Sequence, residues 1–249
     1  MDKLYATDKL TGSHQSAATA GLDFVGIDLQ DKQTTHAFIP EQTISPLPEI
    51  SSPLNSGFNQ LIKSVFDISL SFILIITILS WLIPLLALLI KLDSRGPVFF
   101  LQKRTGAGGK AFSCIKFRSM FVNNDAHILP AQENDPRITQ LGKTLRKYHL
   151  DELPQLLNVF MGDMSMVGPR PHMLQENQQY ENMIEAYSLR HTVKPGITGL
   201  AQSMGNFGAT YDMASLKERT TFDIEYIQTW SLRKDLLILW RTIRMMASH

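Results

Sequence analysis

The chain has 249 residues and a formal net charge of +1, enough for one sizeable domain or two small ones. Residues 1–57 hold three lysines, no arginine and seven acidic residues, about −4, which leaves about +5 on the rest. That mildly basic remainder suits phosphate-rich partners or an anionic membrane surface and is too weak a field for a nucleic-acid binder. One cysteine, Cys114, excludes an intrachain disulfide and fits a cytoplasmic setting.

In chain order, residues 1–57 read as a poorly ordered polar leader. Ser, Thr, Gln and Asp dominate it, and Pro40, Pro46, Pro48 and Pro53 punctuate its second half. The first 20 residues contain no apolar run, so no signal peptide is expected there. The segment 58–92 differs in kind. From Ile68 to Ile90 there are 23 residues without a charge, and at ~1.5 Å per residue such a helix could cross a ~30 Å hydrocarbon layer. Pro84 lacks an N–H and clashes with the carbonyl of Ser80, so a sharp bend is expected there. Lys63 lies before the run and Lys91, Arg95, Lys103 and Arg104 after it. Basic residues on both sides leave a simple span and a re-entrant hairpin equally open.

Residues 93–249 read as a compact mixed domain. Two strand-like runs, PVFFLQKRTG and KAFSCIKFRSM, flank a hairpin turn at residues 105–110. Residues 137–149 suit a short amphipathic helix, and Asp151 begins a second one that Gly162 ends. A third is expected over 172–190 and a last one from Asp223 to Met246. In that last helix Leu232, Leu236, Leu239, Trp240 and Ile243 share a face, with Trp230 near its start. The pattern suits a helix lying in the membrane interface with Trp at the headgroups, or an ordinary core-facing helix.

The chemistry concentrates on Asp151-Glu152-Leu153-Pro154. Alone it is a common helix start, with Asp151 at the N-cap and Pro154 in the first turn. Its functional reading is a carboxylate held at the positive end of a helix dipole, already ionised at neutral pH and so a ready nucleophile. Attack on a phosphate then needs cations to neutralise charge: Mg²⁺ and arginines. Pro169-Arg170-Pro171 offers a guanidinium on a loop stiffened by a proline on each side. Arg104, Arg118 and Lys194, the last in Lys194-Pro195-Gly196, are further candidates for phosphate contact. His149 and His172 flank this region and read as solvated or core residues.

Taken in order, these segments resemble the monotopic phosphoglycosyl transferases, the bacterial sugar transferase family. The resemblance runs from about Phe58 to Arg244 through the Pro-bearing membrane helix, SRGPVFFLQKRTG, KFRSM, NDPRITQLGKTLRK, LDELPQLLNVFMGDMSMVGPRPH, RHTVKPGITGLAQ and FDIEYIQTWSLRKDLLILWRT. It implies an α+β, mostly helical fold: a re-entrant, Pro-broken membrane helix and a small catalytic domain braced by interfacial amphipathic helices. The site would lie on the cytoplasmic face of the bacterial inner membrane. It implies that Asp151 attacks the β-phosphate of a UDP-sugar, that Glu152 assists as metal ligand or base, and that Mg²⁺ is required. Undecaprenyl phosphate then takes the sugar phosphate in a ping-pong cycle. The C-terminal run is similar to the branch that transfers hexose 1-phosphate and begins surface polysaccharide synthesis. Three departures stand out. A polar leader replaces several N-terminal transmembrane helices, leaving a homodimer open. Residues 205–210 lack a Trp-Arg-Gly-Glu run, leaving an N-acetylamino sugar donor open. Ile83 precedes Pro84 where many small members have Ser. The rival class, a non-catalytic membrane scaffold, is disfavoured by the intact Asp151-Glu152 pair and Arg170.

Overall fold

The computed structural model of the chain describes residues 50–132, 134–206 and 212–247; the leader up to residue 49 lies outside them. Ile50 and Leu54, near the end of the stretch read as leader, are buried in the core, and Ser52 donates to the carbonyl of Ile227 at 2.6 Å.

A helical segment then runs from Gly57 to Asp93. It comprises α1 (Gly57–Leu74), one π turn (Ile75–Leu79) and α2 (Ser80–Asp93), with Pro84 inside α2. Where the sequence leads one to expect a bend, a wider π turn lies directly upstream of Pro84 and α-helical geometry resumes at Ser80. Side chains satisfy carbonyls around it. Thr77 Oγ1 donates to Ile73, Ser80 Oγ to Ile76, and Trp81 Nε1 to Thr77. One face of the segment carries Lys63, Asp67, Ser71, Leu79, Leu82, Leu86 and Ile90 against the domain. The opposite face leaves Phe58, Leu61, Phe72, Trp81, Leu88 and Leu92 exposed. Both ends are tied to the same body, Lys63 by an ion pair with Asp235 at 2.8 Å and the carbonyl of Ile90 by Arg118.

The hairpin appears as expected. β1 (Phe99–Thr105) pairs antiparallel with β2 (Ala111–Phe117), and the turn uses Gly108 and Gly109 at positive φ. α3 (Gln140–Lys147) packs its Gly142 so closely on the Ser119 carbonyl that a Cβ there would lie 2.0 Å from the oxygen. His149 then takes a left-handed conformation, φ 54°, and reverses the chain into a 3-10 turn at Leu150–Glu152. α4 (Gln155–Met161) follows and stops at Gly162, φ 88°. Asp151 therefore does not cap α4; Pro154 holds that position.

β3 (Ser165–Val167) and β4 (Gly196–Thr198) form a two-stranded parallel ladder, which periodicity in three-residue strands could not reveal. Between them the helix expected over 172–190 divides into α5 (Leu174–Met183) and a 3-10 turn at Tyr187–Thr192. After α6 (Leu200–Ser203) the C-terminal helix also divides, into α7 (Met213–Gln228) and α8 (Leu232–Ala247). Ser231 Oγ accepts from the Lys234 amide and so starts a new helix, while Trp230 turns inward. Trp230 is thus a core residue, its indole donating to Asp235, and not a headgroup contact. The proposed apolar face of α8 splits as well. Leu236, Trp240 and Ile243 are exposed, whereas Leu232 and Leu239 are half-buried and Leu239 packs against the core.

Asp235 organises this junction. It receives Lys63, the Tyr226 hydroxyl at 2.8 Å and the Trp230 indole at 3.1 Å, with no exposure of its own. Lys63→Met strands that carboxylate and is expected to cost about 3 kcal/mol. Thermal unfolding in detergent should show the loss, and adding Asp235→Leu should recover most of it, since an apolar pair tolerates burial.

Candidate active site

A cavity of about 760 Å³ opens between the hairpin, the loop 121–132, α5 and the Asp151 turn. It falls within the usual size of small-ligand sites. Asp151 and Glu152 line it, as do Arg104, Lys116, Arg118, Arg146 and Arg170.

Local structure explains each placement. Asn158 of α4 is fully buried; its Oδ1 accepts the Ile115 amide at 2.9 Å and its Nδ2 donates to the Ser113 carbonyl at 2.8 Å. That double bond locks α4 along β2, so Lys116 meets Glu152 Oε1 at 2.7 Å. Glu152 also receives Arg170, Nη2 to Oε1 at 2.7 Å and Nη1 to Oε2 at 3.1 Å. Burial opposes ionisation of Glu152, but Arg170 and Lys116 outweigh it and hold the carboxyl well below the usual range. Arg146 lies one turn after Gly142 and donates to Ser119 Oγ at 2.9 Å. Close packing at the glycine brings that guanidinium to the cavity wall.

Asp151 behaves oppositely. Burial, then the charge of Glu152, raise its pKa above the ordinary carboxylate value, against Lys116, Arg146 and Arg170. The pair is thus split: Glu152 is a fixed anion balanced by two cations, and Asp151 is a carboxylate whose charge is only partly compensated.

Arg104 reaches the Pro171 carbonyl at 2.6 Å and Gln102 Oε1 at 2.7 Å, so it braces the Arg170 loop as well as lining the cavity. Arg118 donates from Nη2 to the Ser94 carbonyl at 2.6 Å and to Ile90 at 3.3 Å, which caps the end of α2. Its Nε and Nη1 are buried without a hydrogen-bond partner. Pro169 and Pro171 are buried, and the Pro169 carbonyl accepts the Gly196 amide at 3.0 Å, so they shape the loop and do not line the main cavity. Lys194 is exposed, with its Nζ close to Gly162, and does not line the cavity. Pro84 is exposed on α2.

As for a metal, both oxygens of Glu152 are occupied by cations, which makes it a counter-ion in this arrangement. Among the described residues no three His, Cys, Asp or Glu side chains gather around one point. Asp151 fits Mg²⁺ in the way common at phosphate-transfer sites, where one or two carboxylates share the ion with substrate phosphates and water.

The family model described as bacterial sugar transferase matches residues 58–249. The chain belongs to the bacterial sugar transferases. Among similar proteins, the UDP-glucose:undecaprenyl-phosphate glucose-1-phosphate transferase of Escherichia coli K12 is 44% identical over 92% of this chain and 50% of its own length. The UDP-N-acetylgalactosamine-undecaprenyl-phosphate N-acetylgalactosaminephosphotransferase of Aeromonas hydrophila is 43% identical, covering 79% of this chain and 46% of its own. The exopolysaccharide production protein ExoY of Sinorhizobium fredii NGR234 is 38% identical, covering 84% of this chain and 92% of its own. This sugar transferase therefore spans about half the length of the first two.

Two residues of the cavity wall, Lys116 and Arg146, and one beside it, Arg190, carry no signal of their own in the sequence. A lysine on a strand and an arginine on a basic helix look solvated until the partner is known, here Glu152 for Lys116 and Ser119 for Arg146. Arg190 likewise finds its partners, Asp223 and the Arg170 carbonyl, only through the fold. Residues 207–211, which hold most of the stretch lacking the Trp-Arg-Gly-Glu run, lie outside the described residues.

Proposed function

We propose that the chain transfers a hexose 1-phosphate from a UDP-sugar to undecaprenyl phosphate, the first membrane step of exopolysaccharide, capsule or O-antigen synthesis. One observation carries the reading. A buried, partly uncompensated carboxylate, Asp151, shares a cavity with Arg104, Lys116, Arg118, Arg146 and Arg170. Such a constellation suits a nucleophile facing a diphosphate.

In the first step an Asp151 oxygen attacks the β-phosphorus. The bond from that phosphorus to the bridging oxygen breaks, UMP departs with the electron pair, and an acyl phosphate of Asp151, a mixed anhydride that carries the sugar, remains. In the second step an oxygen of undecaprenyl phosphate attacks the same phosphorus and Asp151 leaves as carboxylate, giving undecaprenyl diphosphosugar. Arg170, held by Glu152, presents its guanidinium to phosphate oxygens. Arg146 and Arg118 add positive charge on the other walls, and burial of Asp151 limits water as a competing acceptor. Asp151 is the residue that would hold Mg²⁺, and the ion would supply charge neutralisation for the donor phosphates.

Membrane placement follows from the long apolar segment. A straight 37-residue helix would be about 55 Å long, and crossing a bilayer would separate its ends. Here both ends attach to one domain, which favours a re-entrant path with the domain on the cytoplasmic face. The exposed apolar side chains of α8 would lie in the same interface. The Aeromonas relative keeps a UDP-N-acetylhexosamine donor in view beside UDP-glucose and UDP-galactose.

A panel of UDP-sugars tests the reading. With Mg²⁺ and undecaprenyl phosphate, one donor should release UMP continuously; without lipid, release should stop at one UMP per chain. UMP release from no donor would shift the case to a membrane scaffold.

A further inference from the structure

Arg190 is the most heavily engaged side chain near the cavity, and the reaction above makes no use of it. Its side chain is 1% exposed. Nε and Nη2 both donate to Asp223 Oδ2, at 3.0 and 2.6 Å. Nη2 also donates to the backbone carbonyl of Arg170 at 2.8 Å. Nη1 donates to the Tyr187 hydroxyl at 3.0 Å and to His172 Nδ1 at 2.9 Å.

The last contact decides a protonation state. A guanidinium has donors only, so His172 Nδ1 must present a lone pair to it. Tyr187 touches the same nitrogen and donates to it for the same reason. The ring proton is therefore on Nε2, and an imidazolium has no place here. The surrounding charges agree: Arg190 and Tyr187 on the 3-10 turn, Arg219 and Asp223 on α7, Arg104 on β1, Tyr180 and Glu176 on α5, and Arg170 on its own loop. Burial, then Arg190 and the other arginines, hold the His172 pKa well below its usual value.

His172 lines the cavity. We infer that His172 is a fixed, neutral Nε2–H donor to an uncharged oxygen of the nucleotide sugar, and that Arg190 is the positioning residue that sets its tautomer while clamping the Arg170 loop. The chemistry favours this division of labour. The arginines already supply charge for the diphosphate, and a neutral donor selects hydroxyl or carbonyl oxygens, where a further cation would compete for phosphate. The inference rests on the proposed donor class, and part of its test does not.

That part is spectroscopic. The full chain, labelled with ¹⁵N-histidine in detergent, should show His172 with protonated Nε2 and bare Nδ1 from pH 6 to 8, its signals assigned by their loss in His172→Phe. In Arg190→Lys the same ring should show exchange with the other tautomer or the imidazolium. A wild-type His172 protonated at Nδ1 overturns the inference even if turnover is robust.

The kinetic part uses the UDP-sugar that supports UMP release, with UMP as competitor. His172→Phe should raise KM roughly three- to tenfold with a smaller change in kcat, the scale of one neutral hydrogen bond, and His172→Gln, which keeps an N–H, should recover most of it. If the inhibition constant of UMP rises in step, the oxygen belongs to the nucleoside; if it stays put, to the sugar. Unchanged KM and UMP inhibition in a folded His172→Phe overturn the inference. Should Phe fail to fold, the wild-type spectra assigned through His172→Gln decide alone. A wild type inactive with every donor, yet showing the Nε2–H signature, would refute the proposed reaction and leave the tautomer standing.

Discussion

Asp151→Asn should abolish turnover, by more than about 10³-fold, while leaving the fold at least as stable as the wild type. Asn keeps the shape of the side chain but offers no anionic oxygen to phosphorus, so neither UMP release nor a covalent phosphosugar should be seen when labelled donor is supplied without lipid. The stability half follows from the raised pKa of Asp151. A carboxyl whose folded pKa lies above its unfolded value binds protons more readily in the native state. Its ionised form therefore costs stability at neutral pH, and the cost is relieved as pH falls through the raised value. Melting temperatures near pH 7.5 should place Asp151→Asn level with or above the wild type, the difference shrinking in mild acid. The same shift predicts that wild-type phosphosugar formation fails on the acid side at a pH above the usual Asp range of ~3.9. An active Asp151→Asn would remove the nucleophile from the proposal. A variant that is inactive but markedly less stable would mean Asp151 is structural.

That split between two adjacent carboxylates was not legible in the sequence, although much around it was. The apolar run, the hairpin with its Gly108-Gly109 turn and the Gly162 stop are set by short-range chemistry, which periodicity and turn residues report directly. Residue types alone single out Asp151 as a candidate carboxylate near candidate phosphate-contacting cations, and the structure puts it in one cavity with Arg104, Arg118 and Arg170, though with a different local geometry from the one expected. A helix start was the natural reading of Asp-Glu-Leu-Pro, yet His149 at positive φ turns the chain first and leaves α4 to begin after Pro154. The pairing of Lys116 with Glu152 depends on Asn158 fixing α4 to β2, a contact 43 residues apart for Ile115. No local pattern encodes it. The break between α7 and α8 was hidden for a related reason. Ser231 is an ordinary N-cap residue, but Trp230 leaves the helix because Asp235 and Lys63 form a buried polar junction that only tertiary packing creates. Lys194 stands out only by residue type and loop stiffness, which say nothing of where the loop lies; in the structure it is exposed and outside the cavity lining.

Glu152→Gln should have the largest effect on stability. Glu152 Oε1 alone meets both Lys116 and Arg170 at 2.7 Å, and the Glu152 side chain is only 12% exposed. Gln removes the charge that balances two cations in a site largely closed to water, and breaking a buried pair from one side costs about 3–5 kcal/mol. The pH dependence has a definite sign. Glu152 is depressed in the folded state, so its contribution is fully present above its unfolded pKa of ~4.3 and lost only as pH falls through the lower folded value. The gap in melting temperature between wild type and Glu152→Gln should therefore be wide and flat from neutral pH down to about 5 and close only below the ordinary Glu range. Activity should fall as well, because Arg170 loses the partner that aims it. Addition of Arg170→Met should then recover stability without recovering turnover, since it removes one of the two stranded charges but also the phosphate contact. A gap that closed near neutral pH, or an Arg170→Met double variant as active as Glu152→Gln alone, would mean the guanidinium is held for some purpose other than the phosphate.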